Sequence, residues 1–290
     1  MQYLKLGASL YVPANNDNLE EVLLNKKFPS LKSLIIDLED SVHDNDLEKA
    51  YNNIQILLNK INKLELLVFI RARSTESLQK LYTFESIEKI TGFVLPKFST
   101  ENMEAYFKNL NKNMLYMPIL EKNIFKVSEL EKICDFVLPF KKNILSIRIG
   151  ATDILSTFSC RRSHKKTIYE IAIMRQIISN IIITFKPYDF NITGCVFESF
   201  DKNDFNILEQ EVEEDLLNGL FGKTIIHPSQ IDIVQNIYKV KSLDYKLAKS
   251  ILDETKPFIF KEENIMNEKA THINWAKKII AMSEIYGIRD

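Results

Sequence analysis

Short apolar or β-branched runs recur along the chain, and between them lie longer stretches in which apolar residues fall three or four positions apart. The runs occupy residues 8–12, 33–37, 66–71, 92–96, 114–119, 144–149, 192–197 and 223–226, which makes eight candidate strands. In the intervening stretch 47–59, Ala50, Ile54, Leu57 and Leu58 share one helical stripe, and in 205–217 Leu208, Val212 and Leu216 do the same. Strand and helix alternating eight times predict a parallel sheet, and eight parallel strands close most economically into an α/β fold, the (β/α)8 TIM barrel. An open doubly wound sheet is the competing arrangement. Residues 1–240 complete the barrel. Residues 241–290 form a C-terminal helical extension, with helices expected at 245–260 and 271–286 joined by the polar stretch 261–269. This extension has to pack either on its own barrel or on a neighbouring subunit.

A chain of 290 residues is a normal size for one such barrel, and 46% hydrophobic residues suffice for its core. The formal net charge of -1 offers no field to gather nucleic acid or an anionic membrane surface. The basic pairs Lys26-Lys27, Lys141-Lys142 and Lys165-Lys166 are interleaved with acids, as on solvated helix ends and loops. The expected partner is a small molecule. Cys134, Cys160 and Cys195 lack C-x-x-C spacing, so neither a disulfide framework nor a zinc cage is indicated, and a reduced, cytoplasmic setting fits. The N-terminus shows no basic segment leading into a long apolar stretch. The most apolar helix candidate, 168–185, is interrupted by Glu170, Arg175 and Gln176 and reads as a buried barrel helix, not a membrane span. With seven glycines and no G-x-S-x-G, P-loop or G-x-G-x-x-G pattern, nucleotide and hydride chemistry lack support.

In a barrel, chemistry collects where strands run into their following loops. Glu121 follows the apolar run 114–120 and Asp153 follows 144–152, so adjacent strands would bring both carboxylates to the mouth, close enough to share one hard divalent cation. Other strand ends carry Asp37, Glu39 and Asp40, then Arg71 and Arg73, then Lys97, and last His227. Each has a plainer use. Asp37 and Asp40 suit turns and helix caps. Arg71 either pairs with Glu39 or Asp40, or grips a substrate carboxylate with its two-pronged fork, and period-2 geometry points Arg73 the same way. Lys97 is either a Schiff-base lysine or a balancing cation. His227, just before Pro228, suits orienting a loop as well as proton transfer. Arg148, Arg161 and Arg162 would suit an anionic substrate group, a phosphate or second carboxylate, although Arg161-Arg162 could also cap a loop against acids.

These motifs together resemble the citrate lyase β-subunit and the wider HpcH/HpaI aldolase/citrate lyase superfamily, which includes malyl-thioester lyases. Leu10-Tyr11-Val12-Pro13-Ala14-Asn15 is similar to its opening "L-x-V-P-G" strand, and Ile36-Asp37-Leu38-Glu39-Asp40-Ser41-Val42 to its "L-D-L-E-D-A-V" segment. Ile70-Arg71, Leu95-Pro96-Lys97, Ile119-Leu120-Glu121, Gly150-Ala151-Thr152-Asp153-Ile154 and Gly222-Lys223-Thr224-Ile225-Ile226-His227-Pro228-Ser229-Gln230-Ile231 continue the match in order. The segment from Phe158 through Arg161-Arg162 to Glu170 resembles one branch, the carbon–carbon bond lyases of the TIM-barrel fold, associated with stress gene clusters.

The resemblance implies Mg2+, or Mn2+ in its place, bound through Glu121 and Asp153, with Arg71 holding the carboxylate of a 2-oxo acid. Asp37, Glu39 and Asp40 would order metal-bound water or pair with Arg71, and Lys97 and His227 would support them. It implies a carbon–carbon lyase or aldolase acting on a 2-oxo acid or its aldol or Claisen adduct, with a CoA thioester as a candidate co-substrate. It also implies a homo-oligomer, a trimer or hexamer, whose C-terminal helices cover neighbouring subunits. The opening strand departs from the pattern at two positions that bear on thioester handling: Gly7 stands where the family usually has arginine, and Ala14 where it has glycine. A catalytically silent barrel that binds a metabolite or scaffolds a complex is the alternative class.

Overall fold

The structure is a computed structural model that describes residues 1–24, 27–61 and 64–290; Lys26 of the first basic pair lies outside them. Eight parallel strands run β1 (Ala8–Pro13), β2 (Ser33–Asp37), β3 (Leu67–Arg71), β4 (Gly92–Leu95), β5 (Leu115–Leu120), β6 (Ile147–Ile149), β7 (Ile192–Thr193) and β8 (Lys223–Ile225). They hydrogen-bond in the order β7-β6-β5-β4-β3-β2-β1-β8. A parallel bridge between Gly194 and Lys223 joins the two ends and closes the barrel.

Alternation along the strands builds two cores. Inward-facing Ile35, Phe69, Val94, Met117 and Ile119 pack with Leu6 and Leu145 inside the barrel. Outward-facing Leu34, Ile36, Val68, Ile70, Phe93, Tyr116, Ile147 and Ile149 pack under the helices. Burying one such side chain contributes about 1.5–3 kcal/mol, so the strand phase is strongly specified. On the helix Leu47–Lys60 the expected stripe of Ala50, Ile54, Leu57 and Leu58 is buried and gains Tyr51. The helix Phe205–Leu217 has the expected bounds, but its buried face carries Glu211 and Asp215 beside Leu208 and Val212.

Strands β6 and β7 are shorter than the apolar runs that announce them. Ile144 attaches to Tyr116 by a single bridge. Beyond Gly194, the Val196 carbonyl accepts from Arg162 Nη1 (2.7 Å) and the Phe197 and Ser199 carbonyls accept from Gln230 Nε2 (2.9 and 3.0 Å). Backbone groups that a ladder needs are thus committed to side chains.

The region 168–185 divides into a 3-10 turn, Ile168–Glu170, closed by a Thr167/Glu170 capping box, and the helix Ala172–Phe185. Among the described residues no helix is long and apolar enough to cross a membrane.

The C-terminal region departs from the two-helix expectation. The helix Ser242–Leu252 stops before Pro257, and Ile259–Glu262 pairs antiparallel with Ile265–Glu268. The two residues between them, Glu263 and Asn264, both have positive φ (51° and 60°), the conformation of a two-residue hairpin turn. The helix Lys269–Tyr286 then ends against the barrel floor. There the Tyr286 hydroxyl donates to the Leu4 carbonyl (2.6 Å) and its ring meets Phe221 and Tyr238.

Candidate functional site

A cavity of about 500 Å³ opens at the C-terminal ends of the strands, with Tyr11, Arg71, Glu121, Arg148, Asp153 and Thr224 in its wall. This is the face on which barrels place their chemistry. Glu121 leaves the end of β5 and is buried, 3% exposed. One carboxylate oxygen accepts the backbone N–H of Lys97 (2.6 Å), which the left-handed conformation of Lys97 (φ 51°) turns toward it. The other oxygen faces Gly150, where a Cβ would fall well inside van der Waals contact. Gly150 therefore gives the carboxylate its room, and it leads straight into the helix Ala151–Thr157, whose first turn carries Asp153. Burial, then the neighbouring Asp153 charge, push Glu121 up to about 8.

A buried carboxylate whose ionisation the neighbouring Asp153 charge further opposes is a poor structural element and a good cation site. Five carboxylates (Asp37, Asp40, Glu121, Asp153, Glu198) line the cavity against two guanidiniums. Among the described residues no three His, Cys, Asp or Glu side chains form a metal cage. One or two carboxylates completed by water and substrate oxygens is nonetheless the usual way Mg2+ is held, so the donor set fits that ion. Gly150→Ala should push the Glu121 carboxylate aside. Mg2+ affinity is expected to fall at least about tenfold in a calorimetric titration, while the circular dichroism spectrum stays that of the wild type.

The Glu121 shift also sets a pH dependence. A carboxyl raised from its ordinary 4.5 to about 8 in the folded chain contributes stability that is fully present below 4.5 and is lost as pH rises through about 8. Without metal, the melting temperature should therefore drop between pH 6 and pH 9, and saturating Mg2+ should reverse the drop. Equal slopes with and without Mg2+ in differential scanning fluorimetry would contradict this.

Arg71 is held by three acids. Its Nε and Nη2 form a fork on Asp37 (2.5 and 2.8 Å), and Nη1 meets Glu39 (2.7 Å) and Asp40 (3.3 Å). The two-pronged grip expected on a substrate carboxylate is thus spent on Asp37, leaving one Nη2 hydrogen free of these acids on a side chain that lines the cavity. Burial works against the Asp37 charge, but the Arg71 and Ser41 hydrogen bonds hold its carboxyl below the usual range. Burial pushes Glu39 up to about 6 despite Arg71. The Lys97 ammonium pairs with Glu39 and, at 3.5 Å, Asp40, which is the balancing role and not that of a free amine nucleophile.

Several expected site residues lie elsewhere. Arg73 stands past the end of β3, where alternation no longer applies, and binds the Val42 carbonyl (2.8 Å) and Asp44. Arg162 is an internal ion-pair residue: its guanidinium meets buried Glu211 and lies 4.7 Å from the Phe197 ring centroid. Arg161 is exposed and lines a separate groove with His164 and Phe200. His227 caps the turn Pro228–Gln230, its Nδ1 accepting from Ser229 N (3.2 Å), and stacks on Phe200. Gly7 is at the opposite end of β1 from the mouth, with positive φ (54°), and a Cβ there would meet Gln235 and the Tyr286 hydroxyl. Its departure from the family pattern reflects packing under the last helix and does not touch the cavity.

Tyr11, Thr224 and Glu198 line the cavity and were not among the sequence candidates. Tyr11 was accessible by alternation from Ser9, which faces inward to Ser33 (2.7 Å between hydroxyls). Its ring lies between two guanidiniums, Arg71 at 5.2 Å and Arg148 at 5.6 Å from the centroid.

Comparison with known proteins agrees with the fold. The family described as C-C bond lyase of the TIM-barrel fold matches residues 1–288. Mitochondrial citramalyl-CoA lyase of Rattus norvegicus is 26% identical over 258 residues, covering 81% of this chain and 71% of the relative; that of Mus musculus is 24% identical over the same coverage. Protein CitE from Mycobacterium tuberculosis, solved with magnesium, acetoacetate and coenzyme A, superposes with a TM-score of 0.68 at 17% identity, covering 96% of this chain and 98% of the other. The citrate lyase beta subunit of M. tuberculosis complexed with oxaloacetate and magnesium gives 0.61 at 19% identity, covering 81% and 98%. At these identities the structural matches speak for the fold.

Proposed function

The chain belongs to the carbon–carbon bond lyases of the TIM-barrel fold, and we propose that within this family it is a Mg2+-dependent lyase or aldolase whose substrate is a 2-oxo acid or its aldol or Claisen adduct. The observation that carries this reading is the pair Glu121 and Asp153, adjacent at the mouth and charge-coupled, with Arg71 fixed beside them. Glu121 and Asp153 would hold the ion, and Mn2+ would serve in its place. When bound, it would polarise the keto oxygen and stabilise the charge that develops as the carbon–carbon bond breaks or forms.

The chain's own residues supply the rest. Asp37, Glu39 and Asp40 lock Arg71 in place, so its remaining N–H meets a substrate carboxylate without first being ordered. Lys97 fixes Glu121 through its backbone and Glu39 through its ammonium. Cleavage converts a hydroxyl-bearing carbon into a ketone and leaves the bonding electrons on the departing fragment. The cavity must therefore hold the hydroxyl near a base while excluding water, and inward-facing Tyr11 and Ile119 give it apolar walls.

The names of the relatives support a CoA thioester as one partner in the reaction. The exposed apolar residues Phe258, Ile259 and Met266 on the C-terminal hairpin support assembly into a homo-oligomer. Incubating the protein with citramalyl-CoA, or with acetyl-CoA plus a 2-oxo acid, and following products by mass spectrometry tests the reading. Turnover that requires Mg2+ and stops with EDTA is expected, and turnover unaffected by EDTA would contradict it.

A further inference from the structure

Arg148 is a buried cation inside the barrel. It stands on β6 between outward-facing Ile147 and Ile149, so it points into the barrel, and it is 2% exposed. Three other basic side chains of the barrel have carboxylate partners: Arg71 has Asp37, Glu39 and Asp40, Arg162 has Glu211, and Lys223 has Glu211 and Asp215. Arg148 has none among the described residues. Its Nη2 donates to the Thr224 hydroxyl (2.6 Å), its Nη1 approaches the Met117 sulfur (3.7 Å), and its guanidinium lies over the Tyr11 ring. Those neutral contacts leave donors unmatched on a group whose desolvation is costly unless an anion meets it. Arg148 is in the wall of the cavity.

Depth fixes what that anion belongs to. Arg148 pairs with Ile119 in the β5–β6 register, two residues below the Glu121–Gly150 level. Two residues of strand rise roughly 6–7 Å, about the span of a short carbon chain with a charged group at each end. Arg71 cannot fill this role, because it sits at the mouth with its fork on Asp37.

We propose that Arg148, with Thr224 and Tyr11, is a specificity-determining residue that binds a second anionic group on the substrate, distal to the 2-oxo acid end, so that the enzyme selects dianionic oxo acids over monoanionic ones. The proposal rests on the 2-oxo acid reading of the site. The second anion is a carboxylate or a phosphonate-like group, and matched probes separate these.

In the presence of Mg2+, calorimetry on the full chain should compare 2-oxobutyrate, oxaloacetate and phosphonopyruvate. Oxaloacetate matches 2-oxobutyrate in chain length and adds only the distal charge. At least one dianion is expected to bind about tenfold or more tighter than 2-oxobutyrate, as a charge-assisted hydrogen bond provides. The tighter of the two dianions identifies the class. In Arg148→Met that ratio should fall to about one, with Arg148→Lys in between. Wild-type protein that binds 2-oxobutyrate as tightly as both dianions would overturn the proposal even if Arg148→Met failed to fold, as would a ratio that persists in Arg148→Met. If none of the three bound, the 2-oxo acid reading itself would fall, and the proposal with it.

Discussion

Glu121→Gln should lower Mg2+-dependent turnover by about a thousandfold or more, while making the metal-free protein more resistant to heat above pH 8. Glutamine keeps the shape of the side chain and can still accept the Lys97 N–H, so the mouth should keep its form. What disappears is a negative charge that burial and Asp153 both disfavour in the absence of a cation. A group whose removal stabilises the empty protein and abolishes its activity is serving a ligand and not the fold. Melting curves at pH 9 and initial rates at saturating substrate measure the two effects. A variant that loses stability, or one that keeps a tenth of its rate, would count against this role.

Lys223→Met should cost roughly 3–5 kcal/mol of folding stability at pH 7. Lys223 is wholly buried, 2.8 Å from carboxylate oxygens of both Glu211 and Asp215. Burial opposes its charge, but those two acids raise its pKa and keep it protonated. Glu211 also accepts the Ile168 N–H (2.6 Å) and meets Arg162, and Asp215 accepts the Tyr169 hydroxyl (2.7 Å). Methionine would leave two buried carboxylates with one fewer cation, and would loosen the hold on the segment 162–169. Burial already pushes Asp215 up to about 6, so protonation should absorb part of the cost and the loss should grow with pH. Urea unfolding at pH 6 and pH 8 measures both. A loss below about 1 kcal/mol would mean the network is far less coupled than its geometry implies.

The strands and the mouth acids were legible because alternation and position in a barrel act locally. Phe69 and Arg71 share a phase, and Phe69 lies in the interior core as that phase requires. The same logic applied to Ile147-Arg148-Ile149 places Arg148 inward. The charged partners were less legible. Arg162 finds Glu211 on a helix whose stripe was read from its leucines and valine alone, and an ion pair across that separation leaves no periodic trace. The segment 245–260 reads as helical through Leu252, and the strand beyond it is announced only by Pro257 and by Asn264 at the turn. The Arg71 fork was ambiguous for a different reason. Asp37, Glu39 and Asp40 all lie within its reach, and only the register Asp37↔Arg71 decides which acid takes both prongs.

The sharing of one divalent ion by Glu121 and Asp153 is tested most directly by calorimetric titration of metal-free protein with Mg2+, beside Glu121→Ala, Asp153→Ala and the double variant. A single site in the wild type, lost in each single variant and no weaker still in the double, is the expected result. Mg2+ binding of wild-type affinity in the double variant would contradict it.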